Sequence, residues 1–137
     1  MSFKKVDHIG IAVSDLETAI ALYQRLLGKE PDHSEEVADQ KVKTAFFSVG
    51  PTNLELIAPT DPESPMAKFL EKNPKGGMHH ICLEVDNIEE HLAELQNNGV
   101  QLIDTEPCAG THGKKIAFIH PKSTGGVLIE LAEPMKK

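Results

Sequence analysis

The sequence predicts an α+β fold: two βαβββ modules whose strands form a curved mixed sheet. Three observations carry this expectation. A strand-like alternation runs into a capped amphipathic helix early in the chain. The same succession returns about halfway along, and further strand-like segments follow both helices. The two occurrences align at a nearly constant offset, as an internal repeat would.

In Asp7–Val13, Ile9, Ile11 and Val13 alternate with His8, Gly10 and Ala12, giving one apolar face and one face of small or polar groups. Ser14 with Glu17 has capping-box spacing. Leu16, Ala19, Ile20, Tyr23, Leu26 and Leu27 then recur at helical intervals until Gly28 ends the helix. Strands are expected over Asp32–Val37, Val42–Val49 and Asn53–Ile57. The Pro-, Asp- and Ser-rich connector carries a short amphipathic helix over Met66–Lys72. Met78–Val85 is the next strand, Asn87 caps a helix through about Asn98, and Gly99 stops it. Strands over Gln101–Asp104, Lys115–His120 and Val127–Leu131 complete the second module. The chain therefore reads as one domain over residues 1–137, with modules at about 3–58 and 78–133 and a connector at about 59–77.

The repeat sharpens this plan. At an offset of 72 residues His8-Ile9 falls on His80-Ile81, Ile11 on Leu83, Val13 on Val85, Leu16 on Ile88 and Glu17 on Glu89. Near the end of each module, Leu54-Glu55-Leu56 matches Ile129-Glu130-Leu131 at an offset of 75.

Composition excludes several classes. Hydrophobic residues at 39% and charged residues at 26% fit a globular chain rather than a disordered one. A net charge of -7 argues against nucleic-acid binding. No apolar run has a membrane-spanning length, and the start Met1-Ser2-Phe3-Lys4-Lys5 lacks the apolar core of a signal peptide. The expected setting is cytoplasmic, where Cys82 and Cys108 are free thiols.

Each module places one histidine early in its first strand and one glutamate in its last. A carboxylate in so apolar a strand is costly unless it is paired or metal-bound. Together the modules offer His8, Glu55, His80 and Glu130, a donor set suited to a divalent ion such as Co²⁺, Mn²⁺, Zn²⁺ or Ni²⁺. Four ligands on a six-coordinate ion leave two positions for a substrate with two oxygens. The mixed sheet is thus expected to surround a metal site.

The remaining candidates have plainer readings beside the functional ones. His79 points to the opposite strand face from His80, toward the helix layer. His112, in Gly110-Thr111-His112-Gly113, either covers a pocket or sits in a surface loop. His120, before Pro121, reads as a turn residue. Lys114, Lys115 and Lys122 are either solvated or available to phosphates.

The segments Val6–Val13, Leu54–Pro59, Gly76–Ile81, His120–Ser123 and Gly126–Leu131 resemble the vicinal oxygen chelate, or glyoxalase-like, superfamily. Within it the chain is similar to the methylmalonyl-CoA epimerase family across nearly its whole length. The resemblance implies a divalent metal, Co²⁺ favoured and Mg²⁺ also admitted, held by His8, Glu55, His80 and Glu130. It further implies a homodimer, a CoA thioester substrate, and interconversion of its 2R and 2S forms by proton transfer at C2. Glu130 is then both ligand and candidate base. The family often has a second glutamate just before the strand that here spans Val42–Val49. Asp39 falls there, one methylene shorter, with Glu55, His112 or a water as substitutes.

Two other readings stay open on the same scaffold. One is a glyoxalase I-type lyase acting on a glutathione hemithioacetal, which uses the same ligands. The other is a non-catalytic protein that sequesters a small molecule. An extradiol dioxygenase fits less well, because its iron takes only two histidines and one carboxylate.

Overall fold

Backbone pairing extends the first strand, β1, over Phe3–Ala12, four residues earlier than the alternation indicates. Phe3 to Val6 are all exposed, so no buried-face pattern marks them in the sequence. The computed structural model describes residues 2–110 and 113–135. Two compact units emerge: Met1–His8 with His80–Lys137, and Ile9–His79.

In the unit Ile9–His79, the strand order is β2 (His33–Val37), β3 (Val42–Val49), β4 (Thr52–Pro59), then the end of β1. β3 and β4 form an antiparallel hairpin in which Val49 faces Thr52. Gly50, at φ 62°, takes the first central position of the two-residue turn, where hairpins favour glycine. Helix α1 (Leu16–Leu27) is capped by Asp15 rather than Ser14. Because Leu16 is the first helical residue, the cap falls one position later than predicted. The Asp15 carboxylate accepts from Glu17 N at 3.2 Å and Thr18 Oγ1 at 2.7 Å, and its charge suits the helix N-terminus. Gly28, at φ 70°, ends α1 as expected.

α1 packs Ala19, Leu16, Ile20 and Tyr23 on Phe47, Leu56 and Ile11. Leu26, predicted on the same core stripe, is exposed. The opposite sheet face is not left bare. Helix α2 (Pro65–Lys72), capped by Ser64, seats Met66 and Phe69 against Ala12, Val42 and Ile57. A side chain at Gly76 would collide with the Ala12 carbonyl oxygen, so the connector approaches β1 as only glycine allows.

The unit formed by Met1–His8 and His80–Lys137 has the order β1, β5 (Gly77–Val85), β8 (Ile129–Glu133), β7 (Lys115–Ile119), β6 (Cys108–Ala109). Its sheet is mixed, since β5–β8 is parallel and β7–β8 antiparallel. The α+β class expected from the sequence is therefore what forms. Helix α3 (Ile88–Asn97), capped by the Asn87 side chain, buries Ile88 and Leu92 against Val85, Ala117, Ile119 and Leu131.

Two predicted strands of this unit are corrected. Gln101–Asp104 is not a strand: Leu102 makes an isolated bridge to Ile119, and a few backbone hydrogen bonds, such as Ile103 N to the Phe118 carbonyl at 2.9 Å, flank it. The Asp104 carboxylate takes Phe118 N at 2.8 Å, and the backbone bends there instead of continuing a ladder. β8 starts at Ile129, not Val127, because the Val127 carbonyl is engaged by the Thr124 hydroxyl in the preceding turn. Cys108 lies in the short strand β6, which the sequence pattern does not mark.

Candidate functional site

Period-two alternation on β5 and β8 decides what the site contains. Leu83, Val85, Ile129 and Leu131 turn toward α3, so Cys82 and Glu130, which are direct cross-strand partners, share the opposite face with His80. β7 adds Phe118 opposite Glu130, and its ring meets the His80 ring at 6.2 Å between centroids. β1 brings His8 to the same place.

Three donor atoms converge there. His8 Nε2 lies 3.0 Å from His80 Nε2, and Glu130 Oε1 lies 3.4 Å from the first and 3.3 Å from the second. Bonds of about 2.0–2.2 Å to a divalent ion would separate neighbouring donors by roughly 2.8–3.6 Å, so the group fits such an ion. His80 is 7% and Glu130 6% exposed. Burial pushes the Glu130 carboxyl upward, but its interactions with the His8 and His80 rings outweigh it and bring the group down to about 2. Glu130 thus stands as a carboxylate, the form a metal ligand requires.

Behind His8 is a further layer that the strand pattern did not single out. His8 Nδ1 is 2.8 Å from Asp7 Oδ2, and Lys114 Nζ reaches both Asp7 oxygens at 3.2 and 3.3 Å. The His8 hydrogen bond, helped by the Lys114 charge, holds the Asp7 carboxyl at about 2 despite burial. Asp7, His8 and Cys82 make a second cluster of donor groups. Burial pushes the Cys82 thiol up to about 11, so it stays protonated at neutral pH. Asp7 directly precedes His8, and Cys82 follows His80 by two residues on one strand face. Those were the available signals.

The other predicted residues fall as follows. Glu55 lies on β4 in the unit Ile9–His79, half-buried and opposite Phe46. Asp39 is exposed in the single turn Ala38–Gln40 that leads into β3. His79 packs edge-on against Phe69 of α2, as its strand face predicted. His120 accepts from Lys122 N at 3.1 Å and caps a turn. Lys114 and Lys115 are paired with Asp7 and Glu89. His112 lies outside the described residues. Both cysteines are free thiols.

Residues 7–118 match the model of the glyoxalase/bleomycin resistance protein/dioxygenase superfamily. The chain belongs to this superfamily. Among the superfamily's curated proteins, it is 42% identical to the mitochondrial methylmalonyl-CoA epimerase of Homo sapiens, over 94% of this chain and 73% of that one. It is likewise 42% identical to the ethylmalonyl-CoA/methylmalonyl-CoA epimerase of Cereibacter sphaeroides, covering 94% and 97%. Its structure matches a methylmalonyl-CoA epimerase in complex with methylmalonyl-CoA and ammonium at a TM-score of 0.88, with 34% identity and 97% and 96% coverage. The superfamily and epimerase resemblance of the sequence motifs therefore holds. Among the described residues, no helix is long and apolar enough to cross a membrane.

Proposed function

We propose that this chain interconverts (2R)- and (2S)-methylmalonyl-CoA by removing and returning the C2 proton. The observation that carries the reading is the convergence of His8 Nε2, His80 Nε2 and Glu130 Oε1 within 3.4 Å, in a chain so similar to named epimerases. His8, His80 and Glu130 would hold a divalent ion, Co²⁺ by preference, with Glu55 as the proposed fourth ligand. When bound, the ion supplies Lewis-acid stabilisation for the negative charge that develops on the thioester as C2 is deprotonated.

The chain's own groups then divide the proton work. Glu130, ionised and buried, removes the C2 proton from one face of the substrate. Asp39 is proposed to serve the other face, so that the proton returns with inverted configuration. Positioned acid–base groups of this kind contribute about 10²–10⁴-fold each. The glyoxalase I-type reading uses the same cluster. The epimerase reading is preferred on the strength of the relatives described above.

The same proposal treats residues 1–137 as one working domain and the active form as a cytoplasmic homodimer. Leu22 and Leu26, both exposed on α1, offer apolar surface for association.

Incubation with methylmalonyl-CoA in D₂O, with and without Co²⁺, tests the reaction through deuterium at C2 by mass spectrometry. Metal-stripped protein sets the background for spontaneous exchange. Metal-dependent exchange that disappears in Glu130→Gln is expected. Exchange no faster than background with every divalent ion tried would refute the reading, and glutathione hemithioacetals would be the next substrates.

A further inference from the structure

We propose that Asp7, anchored by Lys114, is a positioning residue that fixes the tautomer and orientation of His8. The inference rests on the metal-binding reading of His8 and extends it to residues outside the ligand set.

Asp7 is 6% exposed, and a buried carboxylate is expensive unless its oxygens are satisfied. Here both are used. Oδ2 accepts from His8 Nδ1 at 2.8 Å, and Lys114 Nζ bridges the two oxygens at 3.2 and 3.3 Å. Lys114 is itself held in place, because Gly110 N donates to the Lys114 carbonyl at 2.8 Å just before β7 begins. The carboxylate therefore has a fixed position relative to the ring.

A neutral imidazole carries one proton, and acceptors at both ring nitrogens compete for it: Asp7 at Nδ1, and at Nε2 both Glu130 and His80 Nε2, the latter 3.0 Å away. Glu130 Oε1 lies 3.4 Å from His8 Nε2, and drawing the proton there would occupy the donor atom that must face a metal. Asp7 lies 2.8 Å from Nδ1, within the short range of charge-assisted hydrogen bonds. The closer carboxylate wins, so the proton sits on Nδ1 and the Nε2 lone pair faces His80 and Glu130. Carboxylates behind metal-binding histidines typically change metal affinity about 10–100-fold when removed.

The test combines a tautomer measurement on metal-free protein with Co²⁺ titration. Long-range ¹⁵N–¹H correlation spectra of the His8 ring are recorded at a pH where both rings are neutral. Wild-type protein is expected to show the Nδ1–H form. Asp7→Asn should gain Nε2–H form and raise the Co²⁺ Kd about 10–100-fold, Lys114→Met should do so to a smaller degree, and Asp7→Glu should restore part of the loss. If Asp7→Asn does not fold, Lys114→Met carries the test alone. An Nε2–H tautomer in wild type, or unchanged tautomer and Kd in the folded variants, would overturn the proposal. Wild-type protein that binds no Co²⁺ overturns the metal reading instead, and the tautomer spectra then decide this one.

Discussion

His8 and His80 approach each other through their Nε2 atoms at 3.0 Å, with the Glu130 carboxylate 3.3–3.4 Å from both. Two neutral imidazoles meeting this way satisfy each other with a single proton. A cation between them would engage both lone pairs and the carboxylate together. Binding to the folded state alone should therefore stabilise the protein. At a free Co²⁺ concentration about 100 times Kd the gain is about 2.7 kcal/mol, on the order of 10 °C in melting temperature. Thermal scans with Co²⁺ and with a chelator measure it, and coincident melting curves would count against a metal at this cluster.

Asp86 ties the chain start to the unit that carries the cluster. It accepts from Ser2 N at 3.1 Å and Ser2 Oγ at 3.0 Å, and lies 3.3 Å from His91 Nε2. The Ser2 backbone hydrogen bond first, then the Ser2 hydroxyl and His91, hold its carboxyl well below the usual carboxylate range. A depressed folded value means that the stabilisation is complete above the unfolded pKa and fades as pH falls toward the folded one. Asp86→Asn should therefore melt below wild type at neutral pH, with the gap closing under about pH 4, the unfolded carboxylate range. A gap constant down to pH 2 would show that Asp86 contributes through something other than its charge.

Much of this molecule was legible in the sequence because its signals are local. Gly28 and Asn87 mark helix ends by their own backbone and side-chain chemistry, and His80 and Glu130 stand out as polar residues inside apolar alternation. What escaped depended on partners distant in sequence. Asp104 breaks a predicted strand because its carboxylate finds Phe118 N, and β1 begins earlier than expected because its first residues are all exposed and carry no buried-face alternation. Asp7 reads as an ordinary strand-entry aspartate until Lys114, 107 residues away, closes on it. Ser14 lost the cap to Asp15, whose carboxylate takes both Glu17 N and Thr18 Oγ1.

The core around α3 can be weakened without touching the cluster. Leu92 is 2% exposed and packs with Val85, Ala117, Ile119 and Leu131, on the sheet face opposite Glu130. Leu92→Ala is expected to cost about 2–5 kcal/mol in denaturant unfolding, while C2 exchange per folded molecule stays within about twofold of wild type. A loss below 1 kcal/mol would mean the site collapses around the smaller side chain. An exchange rate that falls with stability already normalised would mean that α3 packing governs the geometry of β5 and β8.

The assignment of Asp39 has the sharpest test, since it is exposed and sits on a turn where substitution should leave the fold intact. A base on one face exchanges the C2 proton of one stereoisomer, whereas epimerisation needs a group on each face. Asp39→Asn should therefore reduce racemisation about 10²-fold or more. Deuterium should still wash into the stereoisomer that Glu130 serves, with configuration retained. Glu130→Gln should remove exchange from both isomers and racemisation together, because it takes away a proposed metal ligand as well as a base. Optically resolved methylmalonyl-CoA in D₂O, analysed for both label and configuration, separates these outcomes. Equal losses of exchange from both isomers in Asp39→Asn would identify a binding defect. Undiminished racemisation would transfer the second proton to another group, with Glu55 and His112 the first to be substituted.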